Sequence, residues 1–422
     1  MTVALRAYRS LTAPLEPLVS AVLRDRARRG KEDPARLTER LGYASRPRPE
    51  GPLVWLHGAS VGESLSHLPL VERLARERPD VSVLVTSGTV TSAELLAKRL
   101  PDGVIHQYAP VDASGVADRF LDHWRPTVVG FVESELWPNL ILGAKARGAR
   151  LALISARLSE SSQRNWALFP QAARELLGAF DLVLPQDADA ARRLSALGAR
   201  DDGRLNLKYA GEPLPADPGA LERLRAEIGD RPVVLAASTH PGEEDVVLKA
   251  FKALKQRPDR PLLVIVPRHP VRGAEIVGAA RELGYETRRR AAQEPPAAEA
   301  QVYVADTLGE LGLWFRLART ALVGGGLVPD VGGHNPLEPA RLDCPFVSGP
   351  YVDNWAAVFR DFEAARALKT VAGVVSLGDA WADDLDAPKD ARARAARARG
   401  LADSRADVAD RAYAALSGLL PA

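Results

Sequence analysis

Leu53-Val54-Trp55-Leu56 runs directly into His57-Gly58-Ala59-Ser60-Val61-Gly62-Glu63. The apolar run reads as a buried strand. Small residues then turn the chain, and Glu63 opens a helix carried by Leu65, Leu68, Leu70, Val71 and Leu74. A strand, a small-residue turn and a helix start set one carboxylate beside backbone N–H groups that lack helical partners. That placement suits a base working next to an anionic substrate. A plainer reading is a first-turn glutamate that complements the helix dipole.

The same unit repeats outward from this stretch. Candidate strands at Leu53–Leu56, Val81–Val85, Gly103–Gln107, Thr127–Val132, Arg150–Ile154 and Asp181–Leu184 alternate with helical patterns. Such alternation predicts an α/β fold with a mainly parallel, doubly wound sheet. The proline-rich stretch Gly211–Pro218 breaks the series and reads as a linker. A second series follows at Val233–Ala236, Leu262–Val266, Val302–Ala305, Ala321–Val323 and Pro345–Val347. From about Ala387 the chain is an Ala/Arg-rich helical pattern with no legible chemistry. The expected division is an N-terminal arm, 1–48, a first Rossmann-like domain, 49–212, and a second, 213–422, that includes the terminal helices. Ligands of such sheets bind at the carboxyl ends of strands. The polar motifs all follow strands, as expected of two domains facing each other across a cleft.

A length of 422 residues suits two or three domains, and 46% hydrophobic residues suffice for more than one core. Cys344 is the single cysteine, so no internal disulfide forms, which fits a reducing compartment. A net charge of +2 gives no support to a nucleic-acid binder. The arm differs, with eleven basic and five acidic residues in 1–48. Leu5, Tyr8, Leu11, Leu15, Leu18, Val19 and Val22 form a helical stripe interrupted by Pro14 and Pro17. No uncharged stretch there approaches the roughly 20 residues of a membrane span, and no signal peptide is legible. A basic amphipathic arm reads either as a helix lying on anionic lipid or as one packed on the protein's own body.

Polar clusters hold His57, His240, His269 and His334, but without HxxxH, HExxH or paired-cysteine spacing, so no metal site is expected. Anion binding fits better. Arg268 leaves a buried strand, and Gly324-Gly325-Gly326 lets backbone approach a ligand. This is not the GxGxxG fingerprint of dinucleotide folds. Glu338, after Asn335-Pro336, stands where an acidic residue accepts ribose hydroxyls, or where it complements a helix dipole. Glu133 and Glu135 follow the run Val128–Val132 and are placed for chemistry or for capping a turn. Lys208 suits a carboxylate or phosphate partner, although solvated lysines are commoner.

The motifs HGASVGE, SGTVTS, ESELWPN, ISARLS, NLK, STHPGEE, PRHP, DTLGEL and GGHNPLEP, in this order, resemble the 3-deoxy-D-manno-octulosonic acid (Kdo) transferases of lipopolysaccharide synthesis. The resemblance runs from about Arg36 to Asn354. It implies a GT-B glycosyltransferase fold, CMP-Kdo as donor, and a lipid A precursor of the lipid IVA type as acceptor at the cytoplasmic face of the inner membrane. It implies inverting transfer with no metal or cofactor. It makes Glu63 the general base and Glu133 and Lys208 the groups that assist the transition state. It places CMP contacts at Pro267, Arg268, Leu308, Gly309, Glu310, Asn335, Pro336, Leu337 and Glu338. The short, charged, proline-broken arm departs from the family's long apolar anchor, so peripheral attachment to anionic lipid is expected.

Three other readings stay open at this level. One is a GT-B transferase using another nucleotide sugar. The second is a non-catalytic lipid-binding protein. The third is a nicotinamide oxidoreductase, which shares two α/β domains but lacks its glycine fingerprint here.

Overall fold

The computed structural model describes residues 1–421. The chain divides into two compact units, one of residues 1–211 with 406–422 and one of residues 212–405.

The first unit carries six strands: β1 (Leu53–His57), β2 (Ser82–Ser87), β3 (Ile105–Tyr108), β4 (Val128–Val132), β5 (Arg150–Ala156) and β6 (Leu182–Pro185). They lie in the order β3-β2-β1-β4-β5-β6, and every pair is parallel. Strand β1 is central: Val54 faces Val83 on one side and Val128 on the other. All five of its residues are buried, as a strand covered on both faces requires. Trp55, Phe120, Trp124 and Phe131 anchor the core on one face. The order of strands reverses between β1 and β4, which is the crevice where doubly wound sheets bind ligands.

The helix after β1 spans Val61–Glu77 and starts two residues before Glu63. Ser60 is its N-cap, so Glu63 falls at the third helical position. The serine hydroxyl accepts from the Glu63 N–H at 3.3 Å and donates to Glu63 Oε1 at 2.9 Å. The serine side chain thereby caps the helix start at Glu63.

Helices Val3–Thr12 and Glu16–Arg28 of the arm pack on the first unit. Leu5 and Leu23 are buried, the Tyr8 hydroxyl donates to Asp112 Oδ2 at 3.0 Å, and Arg9 pairs with Asp118 at 2.6 Å. Leu11, Leu15, Leu18 and Val22 stay exposed. One side of the arm is therefore bound to the body and the other is bare and apolar. Among the described residues no helix is long and apolar enough to cross a membrane.

The second unit carries β7 (Val233–Thr239), β8 (Leu262–Pro267), β9 (Thr287–Arg289), β10 (Val302–Val304), β11 (Ala318–Val323), β12 (Phe346–Ser348) and β13 (Lys369–Thr370). Their order is β13-β12-β11-β7-β8-β10-β9, again wholly parallel, with its reversal between β7 and β11. Strands β9 and β13 are short, polar edge strands without an apolar run to announce them.

The expected boundary 213–422 needs correction at its far end. Helix Pro388–Asp403 stays with the second unit, but helix Val408–Ser417 belongs to the first. Its small apolar face, Val408, Ala412 and Leu416, is buried there. Arg73 pairs with Asp410 and lies 5.0 Å over the Tyr413 ring. Gly130 on β4 makes room for Leu56 of the neighbouring β1, since a Cβ there would come 2.6 Å from it, and Leu416 packs over the same spot at an ordinary 3.9 Å.

Candidate active site

In the first unit, Glu63 follows β1 and Glu133 follows β4, the two strands that flank the reversal of strand order. The Glu63 carboxylate accepts from the Ala59 N–H at 2.8 Å and from the Ser60 hydroxyl. Burial raises its pKa above the ordinary glutamate value. The charges of Glu133 and Glu135 raise it further, while the Ala59 and Ser60 hydrogen bonds pull the other way. The place of Glu63 in the first turn also complements the helix dipole. The same carboxylate also keeps a raised proton affinity at the ligand crevice. Gly58 makes this possible: a Cβ there would stand 3.1 Å from Glu63 Cβ and 2.9 Å from the His67 ring. His67 is fully buried, and burial pushes its pKa down to about 4, so it is neutral. Its Nδ1 donates to the Glu63 carbonyl at 2.7 Å.

Glu133 sits at φ +61°, a left-handed conformation that non-glycine residues rarely adopt. Such backbone costs on the order of 1–3 kcal/mol and persists where neighbours over-determine it. Here its N–H donates to the Ile154 carbonyl and its carbonyl accepts from Arg157, both at 3.1 Å. The conformation directs the buried carboxylate to Lys208 Nζ at 3.0 Å, with Arg157 at 3.9 Å. Lys208 rides on a short turn built by Asn206, whose side chain accepts from the Lys208 N–H, and by Ser155, whose hydroxyl accepts from the Leu207 N–H. The solvated-lysine reading fails, because Lys208 is largely buried against Glu133.

Glu135 also stands just beyond β4. Its Oε2 accepts from the Trp137 indole N–H and lies 3.4 Å from His57 Nε2. His57 Nδ1 is 2.9 Å from the Thr86 hydroxyl, which in turn accepts from the Trp55 indole N–H at 2.8 Å. This pattern puts the His57 proton on Nε2, facing Glu135. Burial alone would raise the Glu135 pKa. The His57 and Trp137 contacts outweigh it and hold the carboxyl below its ordinary value. Glu135 is therefore ionised beside a Glu63 whose ionisation is resisted.

In the second unit the polar motifs gather at the carboxyl ends of β7, β8, β10 and β11. Arg268 is exposed directly after β8, its backbone tied to the Thr239 carbonyl at 3.0 Å. His240 and His334 stack with ring centres 5.0 Å apart and Nε2 atoms 2.9 Å apart. Burial, His240 and Arg268 push the His334 pKa down to about 4. Glu338 rises to about 7 by burial, against the Asn335 hydrogen bond at 3.4 Å and the nearby Arg268 charge. Pro267, Arg268, Asn335, Pro336, Leu337 and Glu338 thus fall in one neighbourhood. Leu308, Gly309 and Glu310 follow β10, beside β8. Leu308 is 81% exposed, Gly309 has φ +83°, and the Glu310 carboxylate is held by Arg290 at 2.7 Å and by Thr307.

Glu243 lies within the motif STHPGEE. It is fully buried, and its carboxylate accepts from the N–H groups of His240, Gly325 and Leu327 at 2.7–3.0 Å. It ties the glycine turn after β11 to the turn after β7. Gly324 is required there, because a Cβ would meet the Ser238 carbonyl at 2.7 Å. Among the described residues, no three His, Cys, Asp or Glu side chains come together as a metal site.

Comparison with known proteins fits this geometry. Residues 35–211 match the family model for 3-deoxy-D-manno-octulosonic-acid transferase. An Arabidopsis thaliana protein, the probable mitochondrial 3-deoxy-D-manno-octulosonic acid transferase, is 34% identical over 86% of this chain and 83% of its own. The Haemophilus influenzae 3-deoxy-D-manno-octulosonic acid transferase is 33% identical over 84% of each chain. Among solved structures, a Rickettsia africae glycosyltransferase matches with a TM-score of 0.59 over 88% of this chain and 99% of its own, at 11% identity. Acinetobacter baumannii MurG matches with a TM-score of 0.57 over 87% of this chain and 100% of its own, at 12% identity. These two likenesses concern the fold alone, which is the α/β GT-B fold of glycosyltransferases. With relatives of this similarity along most of its length, the chain belongs to the 3-deoxy-D-manno-octulosonic acid transferase family, a family of glycosyltransferases.

Proposed function

We propose that the protein transfers Kdo from CMP-Kdo to a sugar hydroxyl of a lipid A precursor, inverting the anomeric centre in one displacement. Glu63 takes the hydroxyl proton. The acceptor oxygen bonds to the ketosidic carbon as the bond from that carbon to the phosphate oxygen breaks, and CMP leaves with the electron pair. General-base assistance is worth about 10²–10⁴-fold. Positioning and stabilisation of the departing phosphate supply much of the rest. Pro267, Arg268, Leu308–Glu310 and Asn335–Glu338 hold CMP, with Arg268 and turn N–H groups facing the phosphate. Glu133 and Lys208 assist the transition state as a locked pair.

The observation that carries this reading is Glu63 itself, a carboxylate of raised pKa at the sheet's ligand crevice in a Kdo transferase family chain. The basic arm, with its bare apolar side, suits peripheral attachment to anionic lipid at the cytoplasmic face of the inner membrane, where an amphipathic acceptor resides.

The test is incubation with CMP-Kdo and a tetraacylated lipid A precursor, read by CMP release and product mass. The reading expects CMP release that depends on acceptor and a product heavier by whole Kdo residues. It also expects thermal protection by CMP rather than UDP. Protection by UDP alone, with no CMP release, would overturn it in favour of another nucleotide-sugar transferase.

A further inference from the structure

The first unit holds a cavity of about 280 Å³ at the turn that follows β1. It is near the lower bound of the roughly 300–1,000 Å³ range of small-molecule sites, so it fits one ring-sized group rather than an acylated lipid. Ala59, whose N–H holds Glu63, forms part of its wall. Trp137, Glu135, His57, Asp112 and Pro110 also line it.

Two features specify an occupant. Trp137 is a large aromatic residue left 41% exposed at the cavity, offering an apolar surface to a ligand. Glu135 is fixed through Oε2 alone, by His57 and Trp137. Among the described residues its Oε1 has no hydrogen-bond partner, although it is an ionised acceptor. A flat apolar ring beside a rigid carboxylate with a vacant lone pair matches a pyranose. The C–H face of the sugar lies on the indole and its hydroxyls donate to the carboxylate. Arg40 also lines the cavity, its guanidinium engaged by Glu32 and by the Ala109 carbonyl.

We propose that this cavity seats the pyranose ring of the acceptor, with Trp137 as its stacking face and Glu135 as its hydroxyl-binding carboxylate, so that a neighbouring hydroxyl of that sugar reaches Glu63. The assignment rests on the reading of Glu63 as the base toward a sugar acceptor. Asp112 extends the wall: its carboxylate accepts from the Tyr8 hydroxyl of the arm and from the Asn139 and Leu140 N–H groups. The arm thereby braces the same cavity.

The experiment has two arms on the full chain. In the transfer assay, Trp137→Ala raises the acceptor KM tenfold or more while the CMP-Kdo KM stays within twofold, and Trp137→Phe recovers most of the loss. In saturation-transfer NMR, a glucosamine disaccharide without phosphate or acyl groups gives signals with the wild type and with Glu63→Gln, and loses them with Trp137→Ala. An unchanged acceptor KM in Trp137→Ala would overturn the assignment, as would disaccharide signals equal in that variant and the wild type, or absent from both. A wild type that binds the disaccharide but transfers no Kdo would instead overturn the proposed function and leave the sugar subsite supported.

Discussion

Lys208 Nζ stands 3.0 Å from Glu133 Oε1, joining residues 75 positions apart in the chain at the exit of the central sheet. Both side chains are close to fully buried, 12% and 8% exposed. Removing one partner of such a pair leaves the other charge desolvated, which typically costs about 3–5 kcal/mol. Lys208→Met should fall at or below the low end of that range, about 3 kcal/mol, because Arg157 remains 3.9 Å from Glu133. Glu133→Gln with Lys208→Met should recover much of that loss without restoring activity. Urea unfolding of the two single variants and the double variant checks this. Additive losses would deny the coupling.

The acidic limb of the rate should lie above the ordinary glutamate range. Glu63 must be ionised to accept a proton, and burial and the charges of Glu133 and Glu135 raise its pKa. Activity therefore falls, on acidification, at a higher pH than an ordinary carboxylate near 4.5 would give. Glu135→Gln removes one like charge and should move the limb to lower pH when the acceptor is saturating. The stability effect has the opposite sense. Between the ordinary and the raised pKa the folded state keeps a proton that the unfolded chain has released, so ionising Glu63 subtracts stability as pH rises. A pH–rate profile of wild type and Glu135→Gln decides the matter.

Gly58→Ala should act on the base without touching its charge. The added Cβ would stand 2.9 Å from His67, a buried ring, and 3.1 Å from Glu63 Cβ. Overpacking of this kind costs about 1–3 kcal/mol. A lowered thermal midpoint with a larger fall in turnover is expected. Wild-type values for both would show that the turn has room to spare.

The arm should bind anionic vesicles through its bare side. Leu11 and Leu18 are 71% and 61% exposed, so Leu11→Asp with Leu18→Asp should leave the thermal midpoint unchanged. Vesicle sedimentation should fall for that double variant, and for the wild type in high salt, since each basic residue contributes about 1 kcal/mol near an anionic surface. Equal binding to neutral and anionic vesicles would contradict this.

The central strands were legible because they are apolar runs closed by small or polar residues, as Leu53–His57 shows. Strands Thr287–Arg289 and Lys369–Thr370 were not, because edge strands need no apolar run. The last helix folds with the first unit rather than with the sequence that precedes it, for a related reason. An alanine-rich pattern does not say which surface covers it, and Val408, Ala412 and Leu416 are covered by the first unit. Glu63, Glu133 and Glu135 are legible because they follow strands, and Lys208 because it precedes the linker. The contacts of Glu135 and the role of Glu243 are not legible in the sequence, because they depend on partners distant along the chain: His57 for one, Gly325 and Leu327 for the other.

Glu63→Gln is the most direct measurement. Glutamine keeps the shape and still accepts the Ala59 hydrogen bond, so the helix start and the fold survive. It has no basic carboxylate. Single-turnover CMP release with CMP-Kdo and acceptor should fall at least about 10²-fold, while CMP affinity stays within about twofold of the wild type. A rate near that of the wild type, with CMP binding intact, would contradict the assignment of Glu63 as the base.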